Sequence, residues 1–243
     1  MSSDEEEAGS LPPTPPPAER AMTKPSPSVL SEMNGKTRVK NPPQNVLDLL
    51  KHYFGHSSFR PKQWEIIKNA LDGKDQLVLM STGYGKSVCY QLPGLISKSL
   101  TLVISPLISL MNDQVRTLKL NGTAASLLSG TTSQNEKDRI MSEIQDGSLR
   151  FLYLTPEYVE NASSLLHRLK SKVKLIAIDE AHCVSQWGHD FRSSYRGLAK
   201  IRRILTDCPA IALTATATQV VRKDIIDNLE LNNPVVTCTG FDR

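Results

Sequence analysis

The chain has 243 residues, 39% of them hydrophobic and 22% charged, with a formal net charge of +4. This length suits one globular domain plus a tail and leaves no room for a second large core. The apolar runs are strand-sized, the N-terminal MSSDEEEAGS lacks the regions of a signal peptide, and Cys89, Cys183, Cys208 and Cys238 form no CxxC pair, which argues against membrane spans, secretion, zinc knuckles and a disulfide framework. An intracellular protein with reduced, mostly buried thiols is expected. The glycosylation-type triplets at Asn121 and Asn161 read as chance matches. The mild positive charge permits nucleic-acid binding without demonstrating it.

In chain order, residues 1–43 come first, with an acidic cluster, LPPTPPPAER, KPSPS and NPP and almost nothing apolar to bury. Such a segment is expected to be disordered. Thr14 and Ser26 each precede proline, as in many proline-rich tails, and KTRVK at Lys36–Lys40 is too short to name as a nuclear signal. From Val46 the spacing of Val46, Leu49, Leu50 and Tyr53 predicts a helix, and Trp64, Ile67 and Leu71 predict another. Strand candidates then alternate with helical stretches: QLVLM, LTLVIS, TAASLL, RFLYLT, KLIAID, AIALTAT and VVTCT. Strands this apolar are buried on both faces, so an α/β fold with a central, mostly parallel sheet flanked by helices is expected. Ligands of such sheets sit at the carboxyl ends of strands.

One such end carries LVLMSTGYGKSVCYQLP. Thr82, Gly83, Tyr84 and Gly85 make a tight strand-to-helix turn whose backbone N–H groups can cradle phosphate at a helix N-terminus. Lys86 offers a cation for the outer phosphates and Ser87 a hydroxyl for magnesium. The spacing departs from GxxxxGKS at one place, where Met80 replaces the first glycine. At another strand end KLIAIDEAHC sets Asp179 beside Glu180, one carboxylate suited to holding magnesium through water and the other to orienting an attacking water. Upstream, Gln63 has the donor and acceptor that an adenine edge requires, although Arg60 and Gln63 equally suit a helix cap. The loop SQWGHDFRSSY packs Trp187, His189, Phe191, Arg192 and Tyr195 together. Base stacking suits it, as does anchoring of Trp187 and Phe191 in the core. SPLISLMNDQV and TPE each follow a strand, and Ser105 and Thr155 could each bind a DNA phosphate at a helix start.

Asp179, Glu180, Ala181 and His182, taken with FGHSSFRPKQW, SPLISLMNDQ, SQWGHDFR, ALTATAT and the ending TGFDR, resemble the first motor lobe of a RecQ-family DNA helicase, most like its Werner-type branch. The resemblance covers about residues 46–243. It implies a RecA-like P-loop NTPase lobe over 44–243, using ATP and Mg2+ and acting on single-stranded and forked DNA in the nucleus, with no membrane association. It assigns His56, Arg60 and Gln63 to adenine, the Trp187 loop to DNA sensing, and His182 with Thr214 and Thr216 to a link between the DNA and ATP sites. Met80 is no defect on this view, because DEAH-type helicases have the shorter xTGxGKS turn. In the family the TGFDR segment leads into a second motor lobe with an arginine finger, which is missing from this chain; a fragment, a short isoform and a truncated product fit equally. The competing class is a nucleotide-responsive DNA-binding module without turnover. A P-loop kinase or GTPase fits less well, since no NKxD run is present.

Overall fold

The computed structural model describes residues 41–239. The acidic and proline-rich stretch through Lys40, with Thr14, Ser26 and KTRVK, lies outside the described residues, as do residues 240–243. All seven strand candidates form strands: β1 (Gln76–Met80), β2 (Leu100–Ile104), β3 (Ala125–Leu128), β4 (Phe151–Leu154), β5 (Val173–Ile178), β6 (Ala210–Thr214) and β7 (Val235–Thr239). They make one sheet in the order β3-β4-β2-β5-β6-β1-β7, and every pairing is parallel.

Side chains alternate between the two faces of each strand, and here both faces are apolar. Leu77, Leu102, Leu152 and Ile176 point to one layer, and Val78, Val103, Tyr153 and Ala177 to the other. The second layer is covered by α1 (Gln44–Phe54), α2 (Gln63–Leu71), α3 (Lys86–Ser97) and α4 (Ile108–Leu120), through residues such as Leu50, Ile67, Leu92 and Met111. The first is covered by α5 (Gln134–Gln145), α6 (Pro156–Glu160), α7 (Ser163–Leu169), α8 (Ser193–Arg196), α9 (Ala199–Ile204) and α10 (Gln219–Asn228). The α2 face differs from the expected Trp64, Ile67 and Leu71. Ile66, Ile67 and Ala70 are buried, whereas Leu71 is 39% exposed. The helix ends at Leu71 and Asp72 turns the chain towards β1, so the last residue never reaches the sheet.

The amino-terminal edge of the sheet is fastened by Asp75, just before β1. Its Oδ1 accepts from Ala210 N (2.8 Å), and its Oδ2 accepts from Asn232 N (2.7 Å) and from Arg202 Nη2 (2.6 Å). Its carbonyl accepts from Val235 N (2.9 Å). One buried carboxylate thus joins β1 to β6, to α9 and to the approach to β7. Removing it would leave the buried Arg202 guanidinium without a counter-charge, which costs about 3–5 kcal/mol. Asp75→Ala is therefore expected to lower the stability of the chain by that amount in chemical denaturation. Lys68→Ala, which breaks the exposed pair with Asp72, should cost no more than about 1 kcal/mol. Equal losses for the two would contradict the anchoring role.

Candidate functional site

The glycine turn follows β1 directly. Met80 is the last residue of that strand and its side chain is fully buried in the sheet core, so this position has no need of glycine. Gly83 (φ +74°) and Gly85 (φ +90°) adopt left-handed conformations, and α3 begins at Lys86 with Gly85 as its cap. A Cβ on Gly85 would lie 2.5 Å from Gln63 Nε2. The Lys86 ammonium donates to Met80 O (3.4 Å), folded back over the turn. Ser87 is the next residue of the same first helical turn and is half-buried, while Thr82 is exposed.

Arg60 and Gln63 pack against this turn. Arg60 Nη1 donates to Gly83 O (2.5 Å), and its guanidinium lies over the Tyr84 ring at 5.4 Å. Gln63 is buried, with Nε2 donating to Tyr84 O (3.2 Å) and Gly85 O (3.3 Å) and Oε1 accepting from Arg60 N (2.8 Å). Both ends of its amide are engaged with backbone, so contact with an adenine edge requires an exchange of these bonds. His56 is exposed and makes no hydrogen bond among the described residues.

The carboxylates lie two strands away from the turn. Asp179 follows β5, and its N donates to Ile104 O (2.8 Å). The carboxylate is buried and its Oδ1 has no hydrogen-bond partner among the described residues. Burial, with Glu180 beside it, raises its pKa from 3.8 to about 6, while the Lys86 charge pulls it the other way. Glu180 is held at φ +48°, a costly conformation for a non-glycine residue and one that clusters at working sites. Its Oε2 lies 3.3 Å from His182 Nδ1.

His182 occupies the 3-10 turn Ala181–Val184. Its Nδ1 is 2.9 Å from Thr214 Oγ1, whose own hydroxyl donates to Thr216 O (3.1 Å). With the threonine hydroxyl assigned to Thr216 O, the tautomer that satisfies both contacts carries its proton on Nδ1 and keeps a lone pair on Nε2. Burial lowers its pKa, favouring this neutral form. The structure thus brings His182 together with Thr214 and Thr216, although 32 positions separate His182 from Thr214.

The aromatic loop closes on this histidine. The His189 ring stacks on His182 with centroids 4.4 Å apart and planes 15° apart. A Cβ on Gly188 would meet His182 O at 2.7 Å, so only glycine lets the loop approach so closely. Trp187 is 74% exposed and Phe191 is also exposed, which excludes the core-anchor reading of both. Phe191 lies against the Arg196 guanidinium at 5.2 Å, and Arg192 pairs with Asp190 at 3.3 Å. It is Tyr195 that serves as the core anchor, fully buried and donating to Asp179 O at 2.8 Å. Between loop and sheet lies a cleft of about 750 Å³ bordered by Ser81, His182, Trp187, Thr216, Arg222 and Thr239. Gly188 and Tyr195 escaped notice as positioning groups in the sequence; the WG pair was the one visible sign of a close approach.

Two expectations need correction. Ser105 does not open a helix: α4 begins at Ile108 after an extended Leu107, and the Ser105 hydroxyl is buried without a partner. Thr155 does cap a helix, but its Oγ1 accepts from Tyr158 N (3.2 Å), the residue is buried, and α6 has only five residues. Both follow neighbouring parallel strands, β2 and β4, so they share an edge without forming an exposed phosphate track. What the start of α4 and the residue before it present there is apolar: Leu107, Ile108 and Leu110 are exposed.

Comparison with known proteins agrees with this geometry. Residues 60–224 match the family model for DEAD/DEAH box helicases. The chain is 55% identical over 209 residues to the ATP-dependent helicase wrn-1 of Caenorhabditis elegans, covering 84% of this chain and 20% of that protein. It is 48% identical to the bifunctional 3'-5' exonuclease/ATP-dependent helicase WRN of Mus musculus, of which it covers 15%. It is 47% identical to the ATP-dependent DNA helicase RecQ of Pasteurella multocida, of which it covers 32%. The chain thus spans a third or less of the length of these relatives. Among solved structures, the DUF1998 helicase MrfA superposes with a TM-score of 0.64 at 18% identity, over 80% of this chain and 32% of that one. The Pyrococcus furiosus Hef helicase domain superposes with a TM-score of 0.56 at 21% identity, over 74% and 38% respectively. The chain belongs to the DEAD/DEAH box helicase family, and over most of its length it is similar to RecQ-type and Werner-type helicases.

Proposed function

We propose that this lobe binds ATP with Mg2+ and drives hydrolysis for a nuclear, RecQ-type DNA motor that works on single-stranded and forked DNA together with a second lobe. The observation that carries this reading is the position of His182, in contact at once with Glu180, with Thr214 and with the His189 ring of the exposed aromatic loop. A link of that kind is what a DNA-stimulated ATPase needs.

The residues present suit a magnesium nucleotide. The buried, unpartnered Asp179 oxygen calls for a cation, and the Lys86 charge is felt at Asp179. Mg2+ would supply positive charge that offsets the phosphates. Asp179, through water, and Ser87, through its hydroxyl, would hold that cation. The turn from Thr82 to Gly85 directs backbone donors at the phosphates, and Lys86 leaves Met80 O to meet the outer two. Glu180 orients the attacking water and accepts its proton. His56, Arg60 and Gln63 receive the adenine, with Gln63 releasing the turn carbonyls as it does so. Trp187 and Phe191 offer stacking faces to single-stranded bases, Arg192 contacts the backbone, and Ser105 and Thr155 line the neighbouring strand ends.

Lys86→Ala is expected to remove most ATP binding, whereas Glu180→Gln should retain the nucleotide and lose hydrolysis. Calorimetry showing equal weakening by both would refute this division of roles. Gln63→Ala should reduce discrimination between ATP and GTP. If the two nucleotides instead weaken equally, Gln63 serves only to hold the turn.

DNA coupling has its own test, with steady-state ATPase measured in the presence and absence of single-stranded DNA on the chain joined to a RecQ-type second lobe. Trp187→Ala should leave the basal rate intact, abolish stimulation and cost about 1–3 kcal/mol of strand binding. Gly188→Ala, which pushes the loop off His182, should uncouple in the same way without weakening strand binding as much. A parallel fall of basal and stimulated rates in both variants would reject coupling through the loop. Nucleotide binding with no turnover under any of these conditions would favour the binding-module reading.

A further inference from the structure

We propose that His182, Cys183 and Asp190 form a site for a thiophilic divalent cation of the zinc class, distinct from the magnesium site that Asp179 and Ser87 serve. One ligand atom from each of the three lies within 4.8 Å of the others. His182 Nε2 is 3.8 Å from Cys183 Sγ, and Sγ is 3.7 Å from Asp190 Oδ2. Tetrahedral zinc, with bonds of about 2.0–2.3 Å, needs its ligands about 3.5 Å apart. The two contacts to sulfur need a shift of a few tenths of an ångström, and the His182–Asp190 pair, which lies within 4.8 Å, one of up to about 1.3 Å.

The histidine is already prepared for this role. Its Nδ1–H is committed to Thr214 Oγ1, with the Glu180 carboxylate also 3.3 Å away, so Nε2 turns its lone pair towards Cys183. Backing of a ligating ring by a hydroxyl or carboxylate fixes its tautomer and increases its basicity. The donor set also decides the metal. A nitrogen, a sulfur and a single carboxylate select zinc-like ions, whereas magnesium and calcium prefer all-oxygen shells.

Charge balances as well. The Cys183 thiol, which donates to Asp190 Oδ2 without a metal, releases its proton to solvent as the sulfur–metal bond forms. The dication, one thiolate, one carboxylate and a neutral imidazole then sum to zero. Asp190 is exposed, which gives the ion a path in and leaves a fourth position for water. Asp190 belongs to the aromatic loop and His182 to the DEAH segment, so a metal held here pins one to the other. That consequence, which rests on the coupling role proposed above, makes the site inhibitory: the ion occupies the only nitrogen of His182 still free and fixes the loop that must respond to DNA.

The test titrates the purified 243-residue chain with Co2+ and reads the near-ultraviolet thiolate-to-cobalt band. One equivalent is expected to saturate it, with Zn2+ displacing the cobalt. Cys183→Ala should abolish the band and Cys238→Ala should retain it. The Cys183 site is fully buried, so Asp190→Ala, a change at an exposed position, provides the second variant and should weaken binding several-fold. Thr214→Val should weaken it about 10–100-fold by removing the acceptor behind the ring. No thiolate band at saturating Co2+, or a band unchanged in both Cys183→Ala and Asp190→Ala, would overturn the site. In the two-lobe protein, Zn2+ should suppress DNA stimulation of the ATPase in the parent and spare it in Asp190→Ala. Normal cobalt binding with undisturbed stimulation would overturn the pinning while leaving the metal site in place, and the coupling role itself stands or falls on the Trp187→Ala and Gly188→Ala variants.

Discussion

Parallel pairing dictates where the connections of this chain must go. Each strand ends at the same edge as its neighbours, so the residues that follow β1, β2, β4, β5 and β6 are brought side by side although they span more than a hundred positions of sequence. No local signal links Lys86 to Asp179 or Asp179 to Thr214; the sheet does. The same pairing demands cover on both faces, and that is why the strands are apolar at successive positions and the helices divide into two groups.

Two aspartates show how differently the two edges are built. Asp75, at the amino-terminal edge, has every carboxylate oxygen engaged and an arginine against it. Asp179, at the carboxyl-terminal edge, is equally buried but keeps an oxygen without a partner and has a glutamate for a neighbour. The first arrangement stabilises the fold and the second costs it free energy. The left-handed Glu180 and the unpartnered Ser105 hydroxyl stand at the same edge, where a ligand would satisfy them, although Gln76, Thr101, Ser126 and Arg202 also leave buried atoms unpartnered elsewhere among the described residues.

Much of this was legible in the sequence because the physics there is short-ranged. Runs such as QLVLM and KLIAID read as buried strands, and a glycine pair before lysine and serine, between a strand and a helical stretch, reads as a tight turn into that helix. Spacing fails where tertiary packing decides. Leu71 has the right period for the α2 face but comes after the helix has stopped following the sheet. Ser-Pro at 105–106 looks like a helix start, yet Leu107 stays extended and α4 begins only at Ile108. Thr155 was placed correctly on a helix, but the bond that its hydroxyl makes to Tyr158 is invisible in a dipeptide. Nor does composition reveal which of Trp187, Phe191 and Tyr195 turns inward. That depends on Gly188 folding the loop against His182 O, with Tyr195 reaching back beneath Asp179.

The pairing of β7 has a mechanical consequence. It lies directly beside β1, in register from Gln76 opposite Val235 to Met80 opposite Thr239, with Thr239 Oγ1 also donating to Leu79 O. The last described residue therefore sits level with the start of the glycine turn, one strand away. Tension applied along β7 acts parallel to β1 and loads the rungs of that ladder simultaneously, in shear, instead of peeling them apart one at a time. A pull from that side would be delivered to the base of the nucleotide turn as displacement, with little lost to stretching on the way.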